Sequence, residues 1–124
     1  MPYVKVYTTL EVTDEIKDVF CSKLPSLLAE KLEKDVSKVV TLLQPNAIIS
    51  SGGNLDTTTV WIEINNVGTL EPRMTQELSR DITQLVMEAT HLPREDVSIM
   101  YFDMTPDMVA RSGITVAEAR AGLK

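Results

Sequence analysis

The chain has 124 residues, of which 44% are hydrophobic and 24% charged, as is typical of one soluble globular domain covering residues 1–124. Its net charge of -6, without a Lys/Arg cluster free of acidic neighbours, argues against a nucleic-acid partner, because phosphates attract a basic face. One Cys and one His exclude an intramolecular disulfide and a cysteine metal cluster, and they leave a zinc site without its usual ligands.

The chain start has no basic segment followed by an apolar run, so we expect no signal peptide. No apolar stretch approaches the roughly 20 residues that a membrane span needs. These features predict a cytoplasmic protein with no membrane partner.

The first predicted elements are a strand over residues 4–6, an amphipathic helix and a strand over residues 39–43. Thr13 is suited to cap the helix, and Pro25 should kink it because proline supplies no N–H. The apolar run 39–43 is typical of a strand covered on both faces. The helix is predicted from apolar residues at steps of three and four: Ile16, Phe20, Leu24, Leu27, Leu28 and Leu32.

Residues 50–54, Ser-Ser-Gly-Gly-Asn, are typical of a turn or loop. A phosphate-binding loop is the weaker interpretation, because neither a strand–GxGxxG–helix context nor a Lys-Ser/Thr ending is present. No nucleotide cofactor is therefore expected.

The strand–helix–strand pattern recurs about 58 residues further along the chain, which indicates an internal repeat. A strand over residues 61–64 precedes the second helix, and another strand covers residues 97–101. Pro72 suits the first helical turn. The second apolar stripe consists of Met74, Leu78, Ile82, Leu85, Val86 and Ala89.

The two units, about residues 2–45 and 59–104, predict an α/β fold in which each crossover helix makes its two strands parallel. A four-stranded mixed sheet can then carry both helices on one face. The other face stays uncovered in a monomer, and self-association is the simplest way to bury it. In the C-terminal segment 110–124, a short helix starting at Thr115 or a mobile tail is expected.

Several short motifs lie in register with this repeat over roughly residues 2–109. They are Met1-Pro2 opening directly into a strand, Gln44-Pro45-Asn46, Ser51-Gly52-Gly53, Asn66-Val67-Gly68, Tyr101-Phe102-Asp103-Met104 and Val109. In their order and spacing the chain resembles the tautomerase superfamily, and most closely its macrophage migration inhibitory factor branch.

This resemblance implies two βαβ units related by pseudo-twofold symmetry and a homotrimer with active sites at subunit interfaces. It also implies a cofactor-independent keto–enol tautomerase acting on small, phenylpyruvate-like 2-oxo acids. That reaction moves a proton between carbon and oxygen, which requires a base of near-neutral pKa and a group that stabilises an oxyanion.

Pro2 is the catalytic base that the resemblance implies, once Met1 is removed. A free α-amine has a pKa near 8, and an apolar pocket with a positive charge nearby would lower that pKa. While Met1 remains, the Pro2 nitrogen is an amide and cannot act as a base. The alternative is that Pro2 merely begins a strand, where its missing N–H does little harm.

Lys34 lies where the family places a lysine that binds a substrate carboxylate or carbonyl oxygen. Any of Lys31, Lys34 and Lys38 could instead be a solvated turn lysine. Val67 matches a position whose backbone N–H donates to substrate. Val109 matches an apolar wall of the pocket, although ordinary packing would also explain it.

Ser98 and Met100 stand where human-type members carry a tyrosine and an asparagine, on the same strand face as Phe102. A hydroxyl and a thioether provide weaker aromatic and polar contacts, so we expect low activity on phenylpyruvate-like enols. The alternative function is a binding or signalling protein on the same scaffold with vestigial catalysis. A generic ferredoxin-like binding module, which would be a stable monomer, is a third interpretation.

Two activities of relatives, dehalogenation and thiol oxidoreduction, are disfavoured because the residues that they require are missing. The paired arginines of dehalogenase relatives are absent at the matching positions, and threonines at 57–59 occupy the region of the Cys-x-x-Cys pair of other members.

His91 is predicted to be a surface residue at a helix end, and Cys21 is predicted to pack at the border of the first apolar stripe. Trp61 packs either on the sheet or at a subunit contact.

Overall fold

A computed structural model describes residues 1–122, in which two strand–helix–strand units share one sheet. The first unit consists of β1 (Tyr3–Thr8), α1 (Asp14–Asp18), a π-helical turn (Val19–Lys23), α2 (Leu24–Lys31) and β2 (Val40–Gln44). The second unit consists of β3 (Val60–Val67), α3 (Pro72–Thr90) and β4 (Val97–Met104). The C-terminal segment adds β5 (Ala110–Arg111), β6 (Ile114–Thr115) and α4 (Val116–Arg120).

The first helical stretch is interrupted just before Pro25. Thr13 caps α1, because its Oγ1 accepts a hydrogen bond from the Ile16 N–H at 3.1 Å. In the turn that follows, the Leu24 N–H donates to the Val19 carbonyl, five residues earlier. Pro25 offers no N–H to the carbonyl four residues before it, and its ring crowds that carbonyl, which favours the wider π turn.

The second helix, α3, runs for 19 residues without a break. Pro72 occupies its first turn, where no intrahelical donor is needed. Leu78, Ile82 and Val86 form its buried stripe. His91 ends the helix in the left-handed conformation, with φ of 61°, and its side chain is exposed.

The sheet is mixed, as the sequence predicts, and its strand order is β2-β1-β3-β4. Each unit contributes one parallel pair, β1 with β2 and β3 with β4, and the antiparallel pair of β1 with β3 joins the units. Between the units, the backbones of Ser51 and Asn54 exchange two hydrogen bonds of 3.0 Å. Gly52 and Gly53 supply the positive φ angles that this turn requires, 59° and 79°.

The hydrophobic core lies between one face of the sheet and the helices. Val4 and Val6 of β1 and Ile62 and Ile64 of β3 are buried there. Burying each such side chain contributes roughly 1.5–3 kcal/mol to folding. The helical stretches complete the core with Ile16, Val19, Phe20, Leu24, Leu28, Leu78, Ile82 and Val86.

The opposite face of the sheet, which we call the open face, is not covered by residues 1–122. Leu42 is 50% exposed and Phe102 is 46% exposed, while Val40 and Trp61 are each 39% exposed. The expectation that β2 is covered on both faces therefore fails within one chain, because both helices pack on the same side. Trp61 lies on this face, and its indole N–H donates to Glu63 Oε2 at 3.0 Å.

Cys21 is exposed, and the expectation that it packs is wrong. It lies one residue after the buried Phe20, about 100° further around the helix and away from the core.

The C-terminal segment folds back as a hairpin and a short helix. Ser112 and Gly113 turn the hairpin with φ angles of 58° and 83°. Thr115 caps α4 in a reciprocal capping box with Glu118, so the short helix is the alternative that the structure supports. Residues 123 and 124 of the predicted segment lie outside the described residues. No helix within residues 1–122 is both long and apolar enough to cross a membrane.

Candidate functional site

Pro2 lies immediately before β1, and its side chain is buried. Its carbonyl accepts a hydrogen bond from the Val40 N–H at 3.1 Å, which fixes the chain start against β2. Tyr3 pairs with Asn65 in the antiparallel ladder, and continuing that register places Asn66 and Val67 opposite Pro2 and Met1. The N-terminus therefore lies beside the end of β3.

The loop after α2 holds Lys34 beside this N-terminus. Glu33 adopts the left-handed conformation with φ of 54°, and its N–H donates to the Glu30 carbonyl at 3.3 Å. The Lys34 N–H donates to the Ala29 carbonyl at 2.9 Å, which closes the helix end. The backbone of Lys34 is thus fixed, while its side chain is exposed.

Met1 and Lys34 line a cleft of about 440 Å³, closed on the far side by the C-terminal hairpin and α4. The residues that line it include Met1, Lys34, Lys38, Arg111, Val116 and Arg120. The Arg111 Nη1 donates to the Ser37 carbonyl at 3.4 Å, which links the hairpin to the loop before β2.

The N-terminal amine is in an environment that disfavours its charged form. Burial, followed by the charges of Lys34, Arg120 and Lys38, lowers the pKa of the Met1 α-amine from 8.0 to about 6. An amine of that pKa is mostly unprotonated at neutral pH. The environment at the chain start therefore favours the neutral form of an α-amine.

Val67 and Val109 are both buried, but neither lines this cleft. Val67 is the last residue of β3. The carbonyl of Val109 accepts a hydrogen bond from the Val116 N–H at 2.8 Å, so Val109 supports a residue that does line the cleft.

The structure does not bring Ser98 and Met100 to Pro2 within one chain. They pair with Trp61 and Glu63 on the open face. Trp61 in turn pairs with Tyr7, at the end of β1 that is remote from the N-terminus. At about 3.3 Å per residue, Tyr7 is some 13 Å along the strand from Tyr3.

Arg111 and Arg120 belong to this region, although the sequence analysis did not name them, and Lys38 and Asn66 belong to it without having been assigned a role in the site. Lys38 precedes β2, whose parallel pairing with β1 places it near the chain start, and this pairing is the signal that could have found it. Asn66 is buried, and its side-chain oxygen has no hydrogen-bond partner within residues 1–122. The described part of the chain holds no cluster of three or more His, Cys, Asp or Glu side chains that could hold a metal ion.

The sequence profile described as macrophage migration inhibitory factor (MIF) matches residues 1–117. The chain belongs to the MIF family. A MIF-like protein of Caenorhabditis elegans, mif-2, is 29% identical over 119 residues, which cover 96% of this chain and 98% of the relative.

Solved structures share the MIF fold. The MIF homologue of Prochlorococcus marinus superposes with a TM-score of 0.83 at 23% identity, covering 92% of this chain and 98% of the homologue. Pt0534 inactivated by 2-oxo-3-pentynoate superposes with a TM-score of 0.84 at 15% identity, covering 94% and 98%. The fold and the superfamily membership predicted from the sequence motifs are confirmed.

Proposed function

We propose that this MIF-family protein is a cofactor-independent keto–enol tautomerase for small 2-oxo acids of the phenylpyruvate type. The Pro2 amine, freed by removal of Met1, is the general base. The observation that carries this proposal is the position of the N-terminus, in a cleft where burial and Lys34 lower the pKa of an α-amine.

The proposed chemistry uses groups that converge on the chain start. The neutral Pro2 amine removes a proton from the carbon beside the substrate carbonyl, and the negative charge moves to the carbonyl oxygen. Lys34 and the Val67 backbone N–H stabilise that oxygen or bind the carboxylate. The buried Asn66 oxygen, on the same strand face as Pro2, is an acceptor that can orient the amine.

We further propose that three copies assemble and that the open face is buried between them. In such an assembly Ser98 and Met100 approach the Pro2 of another copy, which accounts for their distance from Pro2 within one chain. Val109 contributes to the apolar wall from behind Val116. A hydroxyl and a thioether bind an aromatic substrate weakly, so the expected activity is low.

The 2-oxo acid class is supported by the charge of the cleft and by one structural neighbour. Pt0534 was inactivated by 2-oxo-3-pentynoate, which is itself a 2-oxo acid. Lys34 can bind the carboxylate of a 2-oxo acid through a charge-assisted hydrogen bond, and this would hold the adjacent ketone near the neutral amine.

The direct test compares blocked and free Pro2. The protein is produced with a cleavable N-terminal extension, and phenylpyruvate ketonisation is measured before and after cleavage, with intact mass verifying the first residue. We expect turnover only after Pro2 is exposed. Equal turnover before and after cleavage would exclude Pro2 as the base.

The pH dependence tests the role of Lys34. The unprotonated amine is the active form, so kcat/KM should rise with pH through the pKa of Pro2. The burial and positive charges that lower the pKa of the Met1 α-amine at this chain start should place the rise at a lower pH than for a solvent-exposed proline amine. Lys34→Gln removes a charge that lowers this pKa, and the rise should move to higher pH. Lys31→Gln is the matched control, because Lys31 pairs with Asp81 at 3.0 Å and does not line this cleft.

A binding or signalling protein with vestigial catalysis is the second candidate. Ser98 and Met100 favour it, because they replace the phenol and amide of human-type members. An intact-mass spectrum lacking Met1, combined with no turnover of any 2-oxo acid, would support this function over the enzyme.

A further inference from the structure

The cleft at the N-terminus carries more positive charge than a 2-oxo acid with one carboxylate needs. Four basic side chains line it, Lys34, Lys38, Arg111 and Arg120, and no acidic residue within residues 1–122 lines it. The whole chain has a net charge of -6, so the cleft reverses the overall sign locally. Such a concentration of one charge attracts anions of the opposite sign.

None of these four side chains forms an ion pair within residues 1–122, although the charge of Asp35 acts on Lys38. The ion pairs found within residues 1–122 involve three other basic residues. Two acids close in sequence to the cleft residues are engaged in caps. Glu118 Oε1 accepts a hydrogen bond from the Thr115 N–H at 3.0 Å, and Asp35 Oδ1 accepts one from the Ser37 N–H at 2.9 Å.

The four basic side chains come from two parts of the chain. Lys34 and Lys38 lie in the loop between α2 and β2, and together with Arg120 they act on the N-terminal amine. Arg111 lies on the hairpin, where its bond to the Ser37 carbonyl orients the guanidinium. A guanidinium has five N–H donors, so most of them stay available to a ligand.

We propose that the preferred substrates carry a second anionic group, a carboxylate or a phosphate, in addition to the carboxylate of the 2-oxo acid. Arg111 binds that second group, and Arg120 lies on the cleft wall and adds its charge. This inference rests on the proposed tautomerase function and deepens it, because it names the substrate class.

The physical reason is charge balance between the two parts of the cleft. A monoanion held at Lys34 leaves the guanidinium of Arg111 without a counter-charge, whereas a dianion engages both. Arginine suits the second position because its planar fork matches the two oxygens of a carboxylate or phosphate. A cleft volume of about 440 Å³ is sufficient for a drug-sized ligand, for which pockets of about 300–1,000 Å³ are usual.

The test uses a matched pair of substrates on the processed protein, phenylpyruvate and 4-carboxyphenylpyruvate. We expect kcat/KM to be about tenfold higher for the dicarboxylate. This factor corresponds to the free energy of one charge-assisted hydrogen bond between the second carboxylate and Arg111. Arg111→Gln and Arg120→Gln should each lower kcat/KM for the dicarboxylate by a larger factor than kcat/KM for phenylpyruvate, so that the preference falls. Arg111→Lys should keep part of the preference, because it keeps the charge.

Two controls separate specificity from folding. Arg80→Gln removes the same charge from α3, outside the cleft, and should not change the preference. Arg120→Gln leaves the bond between Arg111 and Ser37 in place, so it tests the charge even if Arg111→Gln disturbs the hairpin. Equal kcat/KM for both substrates, or an equal loss for both in the arginine variants, would overturn the proposal.

Binding without turnover distinguishes failure of this inference from failure of the enzyme assignment. Phenylacetate and 4-carboxyphenylacetate are titrated calorimetrically, because neither can tautomerise. Tighter binding of the dicarboxylate with no turnover of any substrate would refute the tautomerase and uphold the dianion site. Turnover of phenylpyruvate with equal binding of both acids would uphold the enzyme and refute the dianion site.

Discussion

The two faces of the sheet are built from the same strands, yet they differ in burial. On the face toward the helices, Val4 and Ile62 are buried against apolar side chains. On the open face, Leu42, Trp61 and Phe102 are large apolar residues that remain exposed within the chain. A sheet face that faces only water usually carries polar side chains. The apolar open face therefore indicates contact with another surface, which the proposed trimer supplies.

The largest effect is expected from a charge on the open face. In the proposed trimer, Leu42→Asp buries an uncompensated carboxylate in every subunit, at a cost on the order of 3–5 kcal/mol each. We expect analytical ultracentrifugation to show monomers. Val12→Asp is the control, because Val12 is similarly exposed but lies outside the sheet. A Leu42→Asp trimer of unchanged stability would show that the open face is not an interface.

A cavity on the covered face should weaken folding itself. Ile62→Ala removes buried methyl and methylene groups from the centre of the core, which costs about 2–5 kcal/mol. Denaturant unfolding should show this loss at every protein concentration, whereas the loss caused by Leu42→Asp should depend on concentration. A loss below about 1 kcal/mol would mean that the helices do not pack on Ile62 as described.

The smallest effect concerns one hydroxyl group on each face. Tyr101 lies on the covered face, where its hydroxyl is 2.9 Å from Ser79 Oγ, and burial raises the pKa of its phenol. Tyr101→Phe should cost about 0.5–1.5 kcal/mol in denaturant unfolding. Tyr7→Phe makes the same change on the open face and should cost less. The reverse order would contradict the difference between the faces.

The spacing of apolar residues predicted most of the fold, because apolar residues at steps of three and four lie on the side of a helix that faces the core. Thr13 and Pro72 marked helix starts correctly, since capping and first-turn preferences act locally. The π turn before Pro25 and the exposure of Cys21 were not predicted. Helical spacing alone cannot indicate where a helix adds one residue to a turn.

The candidate site was predicted only in part. Pro2 and Lys34 were found by resemblance, but the residues of the far cleft wall were missed. Arg111 contacts the carbonyl of Ser37, 74 residues away in sequence, and no local pattern encodes such a contact. For Ser98 and Met100 the reverse holds. The resemblance assigns them to the site, but within a single chain they lie far from Pro2.

The antiparallel pairing of β1 with β3 has a consequence for the order of folding. It is the ladder that joins the two units, and it pairs Tyr3 with Asn65, 62 residues apart along the chain. Closing so long a loop costs entropy before any contact is gained, and folding slows as such non-local contacts accumulate. Because β1 precedes β3 by more than 50 residues, the ladder that joins the two units can form only after β3 has been made, later than the pairing of β1 with β2.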